Sequence, residues 1–276
     1  MSHAVAVVTD STADLSPERA RELNIHIIPL VVRIDGASYD DGSELPSRNF
    51  YAKLATAGSI PTTSQPSSGR FKELYEAIDA PDIISIHISS KLSGTCNAAR
   101  VAAEQVPGKR IQVLDSQALS LGMSYLAQIA AGEARRGAPL EGVCDVVQRQ
   151  LTHMGFYALL ETLQHAHRSG RIGFAQAMLG GVLQIKPILT LRGGAVEPVD
   201  RPRTMRKGLD RLFELTAKEA PFAYIGVAHA NNDALAGELA ERLTPIAPGK
   251  VDVVTTGAVL GTHCGPGAVA TCFVRS

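Results

Sequence analysis

The chain has 276 residues, 45 % of them hydrophobic, enough for one large or two ordinary packed domains. Lysine plus arginine number 27 and aspartate plus glutamate also number 27, so the formal net charge is zero and no overall field favours nucleic acid or an anionic membrane surface. Four cysteines, at 96, 144, 264 and 272, form no CxxC pair, which excludes a dense disulfide scaffold and reads as free thiols in a reducing, cytoplasmic compartment.

In chain order, AVAVVTDSTADLSPERARELN (4–24) passes from a β-branched run through small polar residues into a helical pattern. Its apolar stretch is too short for a signal sequence, and no apolar run in the chain is long enough to span a bilayer. GASYDDGSELPSRNFYAKLATAGSIPTTSQPSSGRF (36–71) is less regular, with loops around a short helix near 47–57. The strand-to-polar-to-helix theme then returns twice, in DIISIHISSKLSGTCNAARVAAEQV (82–106) and RIQVLDSQALSLGMSYLAQIAAGEARR (110–136). Such alternation predicts βαβ units and a parallel sheet, with the polar residues gathered where ligands bind in α/β sheets, at the carboxyl ends of the strands.

The grammar changes after about residue 155. GFYALLETLQHA (155–166) and QIKPILTLRGGAVEPVDRP (184–202) read as strands, the second with a Gly-Gly hairpin turn at 193–194, and MRKGLDRLFELTAKEA (205–220) as an amphipathic helix. FAYIGVAHA, a helix through DALAGELAERL, then VDVVTTGAV and GAVATCFVR complete a strand-rich second half. The expectation is a two-domain α/β protein: a parallel-sheet domain over 1–155, and over 156–276 a second α/β domain with a mixed or mostly antiparallel sheet.

Several constellations invite chemistry. In ISSKLSGT (88–95), Ser93, Gly94 and Thr95 enter a helix and read either as an anion or carboxyl site or as an ordinary N-cap. Ser93 lacks the G-x-S-x-G surround of a hydrolase elbow, although a convergent triad with His263 stays open. Neither GxxxxGK[ST] nor a strand-to-helix GxGxxG occurs. His153, His165 and His167 have no acidic or cysteine partner in a metal-binding pattern and read as surface or satisfied histidines. Arg201, Arg203 and Arg206 precede or open a helix, and GTHCGPGA (261–268) sets His263 in a glycine-rich loop that a ligand can approach closely.

Taken together and in order, VVTDSTADL, IIPLVV, IPTTSQPS, ISSKLSGT, VLDSQALSLG, SGRIG, LQIKPILTLRGG, the Arg-Thr of 203–204 and GTHCGPGA resemble the DegV family of bacterial fatty-acid-binding proteins over essentially the whole chain. The resemblance implies a carrier without turnover of its own, holding one long-chain fatty acid in a buried tunnel and needing no cofactor. Thr63 and Ser93 would hydrogen-bond the carboxyl group, with Thr62 and Ser64 nearby, while Arg203 and His263 would lie near the carboxyl and the path of phosphoryl transfer. The implied partner is the ATP-binding subunit of a fatty acid kinase, which makes the acyl phosphate used in phospholipid synthesis. The alternative is a serine hydrolase or acyltransferase built on Ser93 and His263. Two departures from the family pattern stand out: Cys96 replaces an aromatic residue, which predicts a wider pocket, and AHRSGR (166–171) carries Arg168 and Ser169 where lysine and glycine are usual.

Overall fold

The computed structural model describes residues 5–180 and 185–276. The first half runs β1 (Val5–Asp10), α1 (Pro17–Leu23), β2 (Ile25–Ile28), β3 (Val31–Ile34), β4 (Ala37–Asp40), α2 (Ser47–Thr56), β5 (Thr62–Ser64), α3 (Ser68–Ala77), β6 (Asp82–His87), α4 (Thr95–Ala103), β7 (Arg110–Asp115), α5 (Ser120–Arg135) and α6 (Leu140–Leu151). The second half adds β8 (Met154–Leu159), α7 (Gln164–Arg168), β9 (Ile188–Arg192), β10 (Ala195–Asp200), α8 (Met205–Ala217), β11 (Phe222–His229), α9 (Asp233–Leu243), β12 (Asp252–Thr255), α10 (Ala258–Cys264) and β13 (Val269–Arg275).

Strands β2-β1-β6-β7 form a parallel sheet. The central pair, β1 and β6, is buried at every residue, as strands covered on both faces must be, and their near-continuous aliphatic runs reflect that. Serine, threonine and asparagine begin the helices: Ser16, Ser67, Thr204 and Asn232 each accept a backbone N–H of the first turn of α1, α3, α8 and α9. The second sheet has the order β10-β9-β8-β13-β11-β12 and is antiparallel except for β11 with β12, the mixed sheet expected. At the turn between β9 and β10, Gly193 (φ 54°) and Gly194 (φ 80°) both take the positive φ that a two-residue hairpin of this hand demands. The boundary expected near 155 lies inside β8, the first strand of the mixed sheet.

Three expectations are corrected. The stretch read as irregular between 36 and 71 supplies two strands of a third sheet, β4-β3-β5, whose central strand β3 precedes it and pairs Val32 with Thr63; its strands are three or four residues long, too short for alternation to register. The strand read through 155–166 ends at Leu159, and Gln164–Arg168 is helical. His263 lies in no loop: it occupies the last turn of α10, which ends at Gly265 with φ 75°. Of LQIKPILTLRGG, residues 183 and 184 lie outside the described residues, as does Gly181 of the LGG run.

The reason α10 escaped notice is that its cap comes from elsewhere in the chain. Gly257 offers no capping side chain, so the first N–H groups of the helix are satisfied by two carboxylates from the first half. Asp14 Oδ1 accepts from Gly257 N (2.8 Å), Asp14 Oδ2 from the hydroxyls of Thr256 (3.0 Å) and Ser120 (2.5 Å), and Asp41 Oδ1 from Ala258 N (2.8 Å). Asp14 holds this position at φ 51°, a conformation that aspartate and asparagine tolerate better than most residues.

Burial pushes the Asp14 carboxyl up to about 7 against the hydrogen bonds that favour its charge, and lifts Asp41 to about 6. The folded state therefore keeps protons that the unfolded chain has already lost, so these groups contribute most stability below the unfolded value of 3.8 and progressively less as pH rises towards about 7. The unfolding midpoint measured by calorimetry should accordingly fall by several degrees between about pH 4 and pH 7. Asp14→Asn keeps an acceptor for Gly257 N–H and removes the titration, so it should flatten that slope; a mutant as steep as the wild type would place the titrating group elsewhere.

Candidate functional site

Between the two large sheets lies a cavity of about 410 Å³, within the usual range for small-molecule sites. Its walls are mostly aliphatic: Ile88 and Leu92 from the parallel-sheet side, Leu160 and Leu189 from the mixed sheet, Val259 and Leu260 from α10. Among the polar groups that reach it, four come from separate segments. Strand β5 contributes Thr63, the turn after β6 contributes Ser93, α10 contributes His263, and the segment after α7 contributes Arg171.

The turn after β6 is built by its own backbone. Ser93 N and Leu92 N both donate to the Ser89 carbonyl, and Ser89 N donates to Ala118 O, which ties the turn to the neighbouring strand end. Gly94 then precedes α4 where the Gln65 amide crosses the backbone so closely that any side chain would overlap it. Gln65 and Ser64 consequently reach the cavity wall beside Ser93. Ser93 Oγ pairs with Thr95 Oγ1 (2.8 Å) and accepts from Thr95 N (3.3 Å), so both readings of this stretch hold in part: a local cap that also faces the cavity.

Thr63 Oγ1 lies 2.8 Å from His263 Nε2, joining residues 200 positions apart. His263 Nδ1 is buried with no partner among the described residues. Burial, reinforced by the Arg171 cation, depresses the His263 imidazolium to about 4, so the ring is neutral at physiological pH. Arg171 is exposed, with Nη1 donating to Ser169 O (2.7 Å) and Nε to Leu92 O (3.4 Å). The site thus presents hydroxyls and a neutral imidazole inside and a guanidinium at the rim, an arrangement suited to one carboxylate or similar anion with an apolar body beyond it.

Other polar wall groups are already engaged. Ser120 and Thr256 donate to Asp14, and Thr190 Oγ1 donates to Phe156 O. Of the residues singled out from the sequence, Thr63, Ser64, Ser93 and His263 line the cavity, whereas Thr62 and Arg203 are exposed and do not. Arg171 was missed because SGRIG reads as a turn; an arginine held between glycines was the available signal. Cys96 is fully buried in α4 and is absent from the cavity wall, so it does not widen the pocket.

A serine nucleophile is not assembled here. His263 Nε2 engages Thr63 rather than Ser93, and no acid orients the ring. A Ser-His-Asp relay does exist elsewhere: Tyr75 Oη donates to Ser85 Oγ (2.8 Å), which lies 2.7 Å from His87 Nε2, while His87 Nδ1 lies 3.0 Å from Asp10 Oδ2. All four residues are fully buried and none lines the cavity, so the relay is a satisfied core network beneath the strand ends.

The DegV family model, described as an uncharacterised protein family, matches residues 4–276. A DegV domain-containing protein of Streptomyces coelicolor is 37 % identical over 275 residues, covering 97 % of each chain. Two solved structures superpose closely. One is a DegV family protein from Thermus thermophilus described by its fatty acid binding, with TM-score 0.90, 33 % identity and coverage of 98 % of this chain and 99 % of that one. The other is DegV from Bacillus subtilis, described as a fatty acid binding protein, with TM-score 0.89, 33 % identity and 99 % of each chain covered.

An NMR titration of the unliganded protein should find the His263 ring neutral down to about pH 4. Arg171→Gln should raise that midpoint, because a neighbouring cation disfavours the imidazolium. A wild-type midpoint near 6.5 would mean that the ring is open to solvent.

Proposed function

The chain belongs to the DegV family, and on that premise we propose that it binds one long-chain fatty acid in the cavity between the sheets and presents the carboxylate to a separate kinase subunit. In this reading Thr63, Ser93 and His263 hold the carboxyl group, Ser64 flanks it, Thr62 stays outside the cavity, and Arg171 supplies a cation at the rim. Arg203, exposed just ahead of α8, faces the partner and supports phosphoryl transfer from ATP. The protein is then a cytoplasmic carrier whose product, the acyl phosphate, serves phospholipid synthesis. It needs no cofactor and performs no turnover alone.

The observation that carries the reading is the segregation of polarity within one cavity. Its aliphatic walls meet a cluster of polar groups that includes the Thr63 and His263 pair, Ser93 and a cation. The energetics suit such a ligand. At about 0.8 kcal/mol per buried methylene, a sixteen-carbon chain contributes on the order of 12 kcal/mol gross, before association and ordering costs. The tail therefore supplies affinity while the polar cluster fixes direction. A constant carboxylate position serves a kinase because positioning and charge neutralisation carry most of phosphoryl transfer. Among the described residues no helix is long and apolar enough to cross a membrane, in keeping with a carrier that picks up its lipid without spanning the bilayer.

Native followed by denaturing mass spectrometry of protein purified from a bacterial host should reveal a stoichiometric adduct released as a fatty acid. Protein that is empty and also refuses added fatty acids would overturn the assignment. Thr63→Ala with Ser93→Ala should weaken retention roughly ten- to a hundredfold, the scale of lost hydrogen bonds to a charged group. Arg203→Ala should slow acyl phosphate formation with the kinase more than it weakens lipid retention; equal losses in both would argue for a purely structural role.

A further inference from the structure

Behind one wall of the main cavity lies a second space of about 110 Å³. Three residues line both: Leu119, just before α5; Phe156, on β8; and Leu191, on β9. None of the three is fully buried, because each faces open space. Along β8 and the residue that follows it, alternate positions 154, 156, 158 and 160 line the two spaces. Met154 lines the small space, Ala158 and Leu160 the large one, and Phe156 both. One aromatic ring thus interrupts an otherwise continuous apolar row.

The two halves of the chain meet at the small space. The hairpin turn at Gly193 and Gly194 lies over it, pinned from the first half by Ser89 Oγ donating to Gly194 O (2.7 Å). Gly194 sits at positive φ, and any side chain there would overlap the Ser89 hydroxyl. The hydroxyls around this space are satisfied within the protein. Ser116 Oγ donates to Ala118 O (3.2 Å) and accepts from Ala118 N (3.1 Å), and Ser89 Oγ also accepts from Lys91 N (3.2 Å). Leu151, Met154 and Cys272 give the space an apolar side, next to the partition, while Ser116 and Gln117 give it a polar one.

We propose that Leu119, Phe156 and Leu191 form a partition that sets the size of acyl chain the protein accepts, and that the space behind it receives the part of a longer chain that the main cavity does not hold. This rests on the fatty-acid reading above. It identifies the side chains of this protein that discriminate among acids sharing the same carboxyl group. Phe156 is the decisive member, since it is the bulkiest of the three residues common to the two linings.

The test uses delipidated wild-type protein, Phe156→Ala and Leu191→Ala, each offered an equimolar mixture of straight-chain saturated acids from lauric to behenic and read by native mass spectrometry. Circular dichroism checks that each variant is folded. Phe156→Ala should move the preferred acid to longer chains and raise occupancy by the longest acids, relative to palmitic acid, by roughly tenfold, as burial of about two further methylenes predicts. Leu191→Ala should shift the profile in the same direction by less. Unchanged profiles in folded variants would overturn the partition while leaving the carrier assignment intact. Should Phe156→Ala fail to fold, Leu191→Ala decides the matter. A wild-type protein that takes up no acid at all would instead overturn the fatty-acid reading, and the partition with it.

Discussion

The cavity depends on the carboxylates of Asp14 and Asp41, which cross from the first half of the chain to cap α10 in the second. That helix is seven residues long, too short to be stable by itself, and its first residue follows a glycine that cannot cap it. Its position is consequently set by partners more than two hundred residues away in sequence. Val259, Leu260, His263 and Cys264 on this helix all line the cavity, so the same contacts that join the halves shape the ligand site. Ser120 and Thr256, which also line it, donate to Asp14 and extend the clasp to the cavity surface.

Helix α5 supplies the complementary constraint. It packs against β1 and β6 of the parallel sheet and against β11 and β13 of the mixed sheet, and ten of its sixteen residues are buried. Alanine at 127, 130, 131 and 134 lets the parallel-sheet side pack closely, while Leu121 belongs to a small cluster with Ala228 and Cys272 on the mixed sheet. A helix that is apolar nearly all round has no solvent face and acts as a spacer between layers. The cavity is the volume left beside that spacer. Its walls combine strands and helix α10 with the turns that leave them, such as the one holding Ser93.

Much of this was legible in the sequence, for identifiable reasons. The three strand-to-helix units, the parallel sheet they build, the Gly-Gly hairpin and α8 all follow from local periodicity and turn chemistry. Thr63, Ser64, Ser93 and His263 were identified by resemblance to a family, and all four line the cavity. What escaped was non-local. The third sheet consists of strands too short to show alternation, and α10 is hidden among glycines because its cap lies at Asp14 and Asp41. Arg171 was obscured by a turn motif, and Arg203, expected near the carboxyl, is exposed outside the cavity. A pairing such as Thr63 with His263 has no signature along the chain, since only the packed halves bring the two together.

The electrostatics of the cluster also bear on why such a site would bind rather than react. A general base acts best with a pKa near the working pH, and His263 is held about two units or more below it by burial and by Arg171. It can hydrogen-bond an anion but is a weak acceptor of protons from a nucleophile. Ser93, which also lines the cavity, is hydrogen-bonded to Thr95 rather than to the ring, and the fully formed serine relay at Ser85 is sealed inside the core. On the proposed reading, a carboxylate delivered to Thr63 and His263 would be oriented and left chemically unaltered. On that same reading its activation would come from outside the cavity, and Arg171, exposed and lining the cavity, would be the cation nearest to whatever supplies it.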